Sequence, residues 1–331
     1  MYIPPFTVSA EAINLIAEIS RQIERYAIRL EQEDGLLLRK VNRIKTIHSS
    51  LAIEGNTLNE DQVRDIIDGK TVVAPIKEIQ EVKNAIATYN LYPTLNPYSV
   101  KDLLKAHGVM MQALIDDAGR FRRGGVGVFS EQGLVHMAPP AERVPFLMDD
   151  LFAWLQSSND HLLIRSCVFH YEFEFIHPFI DGNGRTGRLW QSLILGRLHP
   201  LFEHLPVENM VYANQQAYYD AITASTHAGQ SGPFIDFMLN EIYKTLKSHR
   251  GEELMDIGNN VGNNVGNNVG NNVGNKERII LDAIRKRPTV TTPQLAELLG
   301  VTKRQCERIL SNMKQQGLLR RVGTKGGHWE I

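Results

Sequence analysis

From Gly258 to Val273 the chain repeats Gly-Asn-Asn-Val four times, and it closes the run with Gly274-Asn275. Glycine and asparagine tolerate left-handed backbone and disfavour both helix and strand. One valine in four residues cannot bury a core. The run predicts a linker over 251–275, with separate folding units on either side; the alternative is a small stacked repeat. Short tandem units also arise by slippage, so the repeat need not carry a function.

Charge divides the chain at the same place. Residues 276–331 hold twelve Lys and Arg against five Asp and Glu, a net of +7. The whole chain carries −1, so the larger part carries −8. A small basic module is tied to a larger acidic one. With 331 residues, 43% of them hydrophobic and 22% charged, the composition is that of a globular protein of roughly two domains. Cys167 and Cys306 lie far apart and in no C-x-x-C pair, which predicts two reduced thiols. The start, Met1-Tyr2-Ile3-Pro4-Pro5-Phe6, lacks the basic and apolar segments of a secretory signal. No apolar run approaches the ~20 residues needed to cross a bilayer. The expectation is a cytoplasmic protein with no membrane partner.

Before the linker the pattern is helical. Ser9 caps a long helix through Ile13, Ile16, Ile19, Ile23 and Ile28. Asn59 and Ser99 are further caps. Leu147, Leu151, Trp154 and Leu155 mark one helix. Leu162, Leu163, Cys167, Phe169 and Phe173 mark another that leads to His177. One stretch differs: 124–129 and Leu134-Val135-His136-Met137 flank Glu131-Gln132-Gly133, which predicts a β-hairpin stopped by Pro139-Pro140.

The segment that follows, His177-Pro178-Phe179-Ile180-Asp181-Gly182-Asn183-Gly184-Arg185-Thr186-Gly187-Arg188, concentrates chemistry. Pro178 ends the preceding helix. The Gly-rich turn then opens a new one, a site where free N–H groups and the helix dipole favour phosphate. Arg185 and Arg188 are one turn apart and suit polyphosphate. Asp181 is a hard oxygen ligand of the kind Mg²⁺ on phosphates prefers. His177 titrates near neutrality and can take a proton from a hydroxyl. The set fits phosphoryl or nucleotidyl transfer, and without a Gly-Lys-Ser/Thr ending it is not a Walker A loop.

These twelve residues resemble the signature of Fic-domain proteins: His, any residue, Phe, any residue, Asp or Glu, Gly-Asn-Gly-Arg, two residues, Arg. The resemblance implies a mainly α fold, a Fic-type helical domain with a β-hairpin flap. It implies a protein adenylyltransferase that moves AMP from ATP to a Ser, Thr or Tyr hydroxyl and releases pyrophosphate. His177 would be the base and Asp181 the Mg²⁺ ligand. Gly182, Asn183, Gly184, Arg185, Thr186 and Gly187 would form the ATP-binding turn, and Arg188 would take the γ-phosphate. Phe179 would anchor the loop. Gly184 argues against the kinase branch of the fold, which has Lys there. The hairpin resembles the family's flap, with Leu134, Val135, His136 and Met137 docking the target by strand addition. Tyr219, beside Tyr218, resembles the adenine-side aromatic. Thr226 stands where some relatives carry a nucleotide-binding Asn.

Ser50-Leu51-Ala52-Ile53-Glu54-Gly55-Asn56 resembles the inhibitory motif of Fic proteins that carry an N-terminal brake. The resemblance implies that Glu54 pairs with Arg188 and occupies the γ-phosphate space, with Ser50 in the same motif. The same Glu supports removal of AMP in some relatives. On this reading 1–90 is the helical region with the inhibitory helix, 91–250 the Fic core, 251–275 the linker and 276–331 the last domain.

Residues 276–331 read helix, helix, helix, hairpin. Ile279, Ile280, Leu281 and Ile284 line the first helix. Thr292 caps the second with Pro293 at its first position, and Thr302 caps the third, which carries Lys303, Arg304, Arg308 and Lys314. Strands at 318–322 and 327–331 complete a pattern that resembles a winged helix-turn-helix. The net charge favours DNA as its partner, with protein docking as the rival. Two other functions stay open: a DNA-binding regulator that senses nucleotide, and a hydrolase that removes AMP. Neither the target protein nor the oligomeric state is legible; a homodimer and self-modification are both compatible.

Overall fold

The computed structural model describes residues 2–32, 35–130, 133–203 and 207–248, and thereafter positions 280, 284, 290–292, 294–295, 310, 314, 319–322 and 328–330. The expected linker 251–275 lies outside the described residues, as does nearly all of the expected third helix of the basic module, Thr302 to Met313. The chain separates into two compact units, Met1–Gly251 and Glu252–Ile331.

The first unit is mainly helical. Ser9 caps α1 (Ala10–Gln32) as expected, its Oγ accepting from Ala12 N–H at 2.9 Å. The same hydroxyl donates to Asp236 on α11 (Gly232–Ser248) at 2.7 Å, which ties the first helix to the last. The isoleucine stripe is corrected in one respect. Ala12, Ile19 and Ile23 are buried whereas Ile13 is exposed, because the inward stripe runs one position earlier. Asn59 forms a full capping box with Gln62 at the start of α3 (Glu60–Ile67). Ser99 caps α5 (Val100–Met110).

Between α1 and α5 lie α2 (Gly35–Ala52) and α4 (Ile76–Leu91). Ile44, Ile47 and Leu51 of α2 pack with Leu58, Val63, Val82 and Ala85 in a small apolar core. This core carries the turn that holds Glu54. At the centre, α7 (Leu162–Ile176) is apolar nearly all round and buried along its length, following α6 (Val144–Ser157). It packs against α8 (Asn183–Gly196), where Trp190 is buried and donates to Pro97 O at 3.0 Å. Then α9 (Val207–Ala213) and α10 (Gln215–Ala228) close the side that faces Glu54. The expected hairpin is β1 (Gly127–Ser130) antiparallel to β2 (Gly133–Met137), with an irregularity between Val128 and Phe129.

In the second unit Ile280, Ile284, Val290, Leu295, Leu310, Leu319 and Trp329 are buried. Trp329 donates its indole N–H to Val290 O at 2.9 Å, and Lys314 lies over its ring. β3 (Arg320–Val322) pairs antiparallel with β4 (His328–Glu330), as a wing requires. The expected cap at Thr292 moves back one residue. Leu295 N–H bonds Thr291 O, and the Thr291 N–H and hydroxyl both reach Gln294 Oε1. Gln three residues after Thr291 makes that threonine the cap.

Candidate active site

The loop between α7 and α8 is set by its backbone. α7 ends at Ile176 because His177 turns left-handed, with φ 50° and ψ 63°, a conformation that costs a non-glycine residue about 1 kcal/mol. The surroundings hold it there. Arg122, 3% exposed, donates Nε to His177 O at 2.7 Å and Nη2 to Ile176 O at 3.2 Å. Its remaining N–H groups reach Gly124 O and Pro139 O, at the two ends of the hairpin, and its backbone N–H reaches Pro178 O. One guanidinium thus fixes the loop and the hairpin base together.

Asn183 clamps the next turn: its Oδ1 accepts from Phe179 N–H and its Nδ2 donates to Phe179 O, both at 2.9 Å. Phe179 is fully buried and stacks on His107, ring centres 3.6 Å apart. Gly119 N–H donates to His107 Nδ1, so the ring proton sits on Nε2 and is donated to Asp181 O at 3.0 Å. Burial pushes the His107 pKa down to about 4, which keeps the ring neutral.

Gly182, at φ 80°, starts α8 without a side-chain cap. The first-turn N–H groups are thereby left for an anion. Asp181 Oδ1 accepts from Gly182 N–H at 2.6 Å and faces Arg185 Nη2 at 3.3 Å. Arg185 lies 3.9 Å from Glu81, whose other oxygen accepts from Asn56 Nδ2.

Arg188 is 1% exposed. Its Nη2 donates to Glu54 Oε1 at 2.8 Å and to Ser50 O at 3.0 Å. Burial alone would lower the guanidinium pKa, but the Glu54 carboxylate more than offsets this and raises it. A Cβ on Gly184 would meet Glu54 Oε1 at 2.7 Å and Arg188 Nη1 at 2.9 Å, so a side chain there would displace one end of this pair.

Glu54, Gly184, Arg188 and His177 line one cavity of about 250 Å³, together with Glu174, Tyr218, Tyr219, Thr226 and Gly127 of the hairpin. The structure therefore gathers His177, Gly184, Arg188, Glu54 and Tyr219 around a single space. Of the expected nucleotide turn only Gly184 lines it; Gly182, Asn183, Arg185, Thr186 and Gly187 do not, nor does Asp181. Asn183 holds Phe179, Thr186 bonds Gly182 O, and the bare Cα of Gly187 packs against His170, Phe173 and Glu174 of α7. Ser50 contributes its carbonyl. Thr226 bonds Tyr171 across the cavity wall at 3.3 Å. Met137 is exposed at the end of β2.

Residues 97–195 match the Fic/DOC family model, and 275–320 match a model described as winged helix-turn-helix DNA-binding. A crystal structure of a Fic family protein from Desulfovibrio desulfuricans is 39% identical, with 100% of this chain and 98% of that one covered and a TM-score of 0.73. The chain belongs to the Fic family. Among curated relatives, the protein adenylyltransferase Fic of Drosophila mojavensis is 28% identical over 259 residues, 72% of this chain and 48% of that protein. That of Nematostella vectensis is 29% identical over 61% of this chain and 48% of its own length. The chain thus spans about half the length of the curated relatives it matches. Fic-1 of C. elegans shares the fold at a TM-score of 0.58.

In this Fic chain Asp181 fits Mg²⁺ held jointly with nucleotide phosphates. Its carboxylate is half exposed, and a single protein oxygen ligand suits a cation that keeps water and phosphate as its other ligands. Among the described residues no group of three or more His, Cys, Asp or Glu forms a cage for a metal by itself, nor is any helix long and apolar enough to cross a membrane.

Sequence reasoning does not single out Arg122, His107 or Glu174. His107 has a signal: it lies on the apolar face of α5, with Leu103 and Met110. Arg122 has none, since an arginine flanked by Arg120 and Arg123 reads as a solvated charge.

Proposed function

We propose that this chain is a protein adenylyltransferase that transfers AMP from ATP to a Ser, Thr or Tyr hydroxyl of a target protein and is inhibited in cis by Glu54. The observation that carries this reading is the Glu54–Arg188 pair inside the cavity that also holds His177 and Gly184 in the first turn of α8. The target oxygen attacks the α-phosphorus, the bond to the bridging oxygen breaks, and pyrophosphate leaves. His177 takes the hydroxyl proton. The first-turn N–H groups and Arg185 cradle the α- and β-phosphates, and Arg188 receives the γ-phosphate. Mg²⁺ at Asp181 would neutralise phosphate charge. Tyr219 borders the adenine side, and β2 (Leu134, Val135, His136 and Met137) aligns the target backbone by strand addition.

With Glu54 on Arg188, the γ-phosphate finds neither space nor a free cation, and ATP binds in a non-productive pose. The test is incubation with Mg²⁺ and ATP labelled on the α-phosphate. Glu54→Gly raises protein labelling at least tenfold over the wild type, and Glu54→Gly with His177→Ala abolishes it. No label in any variant that still binds ATP would sink transfer onto this chain and the proteins supplied. DNA is a second partner, supported by the winged-helix match and the net +7 of 276–331.

A further inference from the structure

Glu174 sits on α7 one turn before His177 and lines the cavity beside Arg188 and Glu54. It is 9% exposed, and its Oε1 is buried with no hydrogen-bond partner. Burying an oxygen without a partner is costly, while the carboxyl that carries it keeps a side chain 11% exposed in the wall of the cavity. His170 Nε2 lies 3.8 Å away. That nitrogen cannot donate. His170 Nδ1 gives its proton to Gln191 Oε1 at 2.6 Å, which leaves Nε2 to accept from Tyr218 OH at 3.0 Å. Burial pushes the His170 pKa down to about 4, so the ring is neutral and the pair is not a salt bridge.

One cation therefore faces two carboxyls. Arg188 of α8 is committed to Glu54, in the turn after α2. Tyr218 of α10 is a neutral phenol there, its pKa raised first by burial, and His177 and Tyr219 border the same space. A second buried negative charge beside a matched pair is unfavourable, so Glu174 keeps its proton. Its pKa is raised to about 8, first by burial, with Glu54 raising it and Arg188 lowering it.

We infer that Glu174 is a nucleotide-binding residue that stays protonated in order to donate a hydrogen bond to a terminal phosphate oxygen of ATP. The inference rests on the adenylyltransferase reading. A neutral carboxyl gives the phosphate a donor where a carboxylate would repel it, the same use of a buried acid as in other oxyanion sites. When Glu54 leaves and the γ-phosphate takes its place on Arg188, the second carboxyl becomes an asset through its proton. A Cβ on Gly187 would lie 2.8 Å from Glu174 Oε1, so the glycine leaves this carboxyl its place.

The test measures ATP and ADP affinity by calorimetry, with Mg²⁺, from pH 6 to 9 in the Glu54→Gly background. Removing Glu54 leaves Arg188 unopposed and draws the Glu174 midpoint below about 8. ATP affinity then falls about tenfold or more across that range, as the protonated fraction falls. ADP affinity shows no such step. Glu174→Gln, a permanent donor of the same size, keeps the affinity seen at pH 6 and flattens the ATP profile. Glu174→Ala binds ATP weakly at every pH. An ATP profile that is the same with and without the Glu174→Gln substitution overturns the inference while leaving the activity reading intact. Absence of ATP binding in all variants overturns the activity reading itself.

Discussion

The loop at 177–183 and the turn at 53–56 meet at Arg188 but are built differently. Every carbonyl of consequence in the loop is held by a buried donor: Arg122 on Ile176 and His177, Asn183 on Phe179, His107 on Asp181. The turn is held from outside by part-buried bonds. Glu54, whose side chain is 29% exposed, reaches Arg188. Gln215 of α10 reaches Ile53 O at 3.2 Å, and Asn56 reaches Glu81. The contrast separates a part that must keep its geometry from a part that can leave without unfolding the rest. The bonds to Ile176 O and Phe179 O are fully buried, whereas those of the turn are reached in part by water.

The largest effect expected from this contrast is at Arg122. Arg122→Ala deprives four carbonyls of a charged donor, a cost of about 3 kcal/mol or more. Calorimetric melting should drop by roughly 6–12 °C for a unit of this size. Labelling in the Glu54→Gly background should fall at least a hundredfold. A variant with unchanged melting and labelling would show that the loop holds itself.

A smaller effect is expected on the other side. Gln215→Ala removes one partly exposed bond to the turn, worth about 1 kcal/mol. Basal AMP labelling should rise about fivefold while the melting temperature falls by no more than about 2–4 °C. Loss of stability without a gain in labelling would mean that Gln215 supports the core and does not hold the brake.

The last effect concerns the acids beneath both regions. Burial raises Glu172 and Glu208 from 4.5 to about 7 and Glu174 to about 8. In the folded chain these groups keep protons that the unfolded chain releases, so they remove stability as pH rises towards their folded values. His107 and His170, lowered from 6.5 to about 4, do the opposite, removing stability as pH falls below 6.5. The two contributions oppose each other between 4.5 and 6.5, and only the acids remain above. Melting temperature should decline from roughly pH 6.5 to 8. A flat or rising curve would show that these carboxyls are solvated in the folded state.

Much of the fold is legible in the sequence. Ser9, Asn59 and Ser99 announce helix starts because caps act within one turn. Glycine at 133 and Pro139-Pro140 announce the hairpin for the same local reason. The cap of the second basic helix falls one residue from its expected place, because two adjacent threonines both read as caps until Gln294 chooses between them. Glu54 and Arg188 are paired by motif alone, and the structure places them 2.8 Å apart.

By itself the sequence determined the division of charge, the caps at Ser9, Asn59 and Ser99, the hairpin and the twelve residues from His177 to Arg188. All of these are written in short windows, where spacing and backbone preference decide. Only the tertiary structure decided what holds that segment in shape. Arg122, His107, Gln215 and Glu174 come from four different helices and loops, and each matters through what it touches or fails to touch. Whether a polar side chain is solvated, satisfied or left waiting for a partner depends on burial, and burial is set by packing between segments that the sequence does not place side by side.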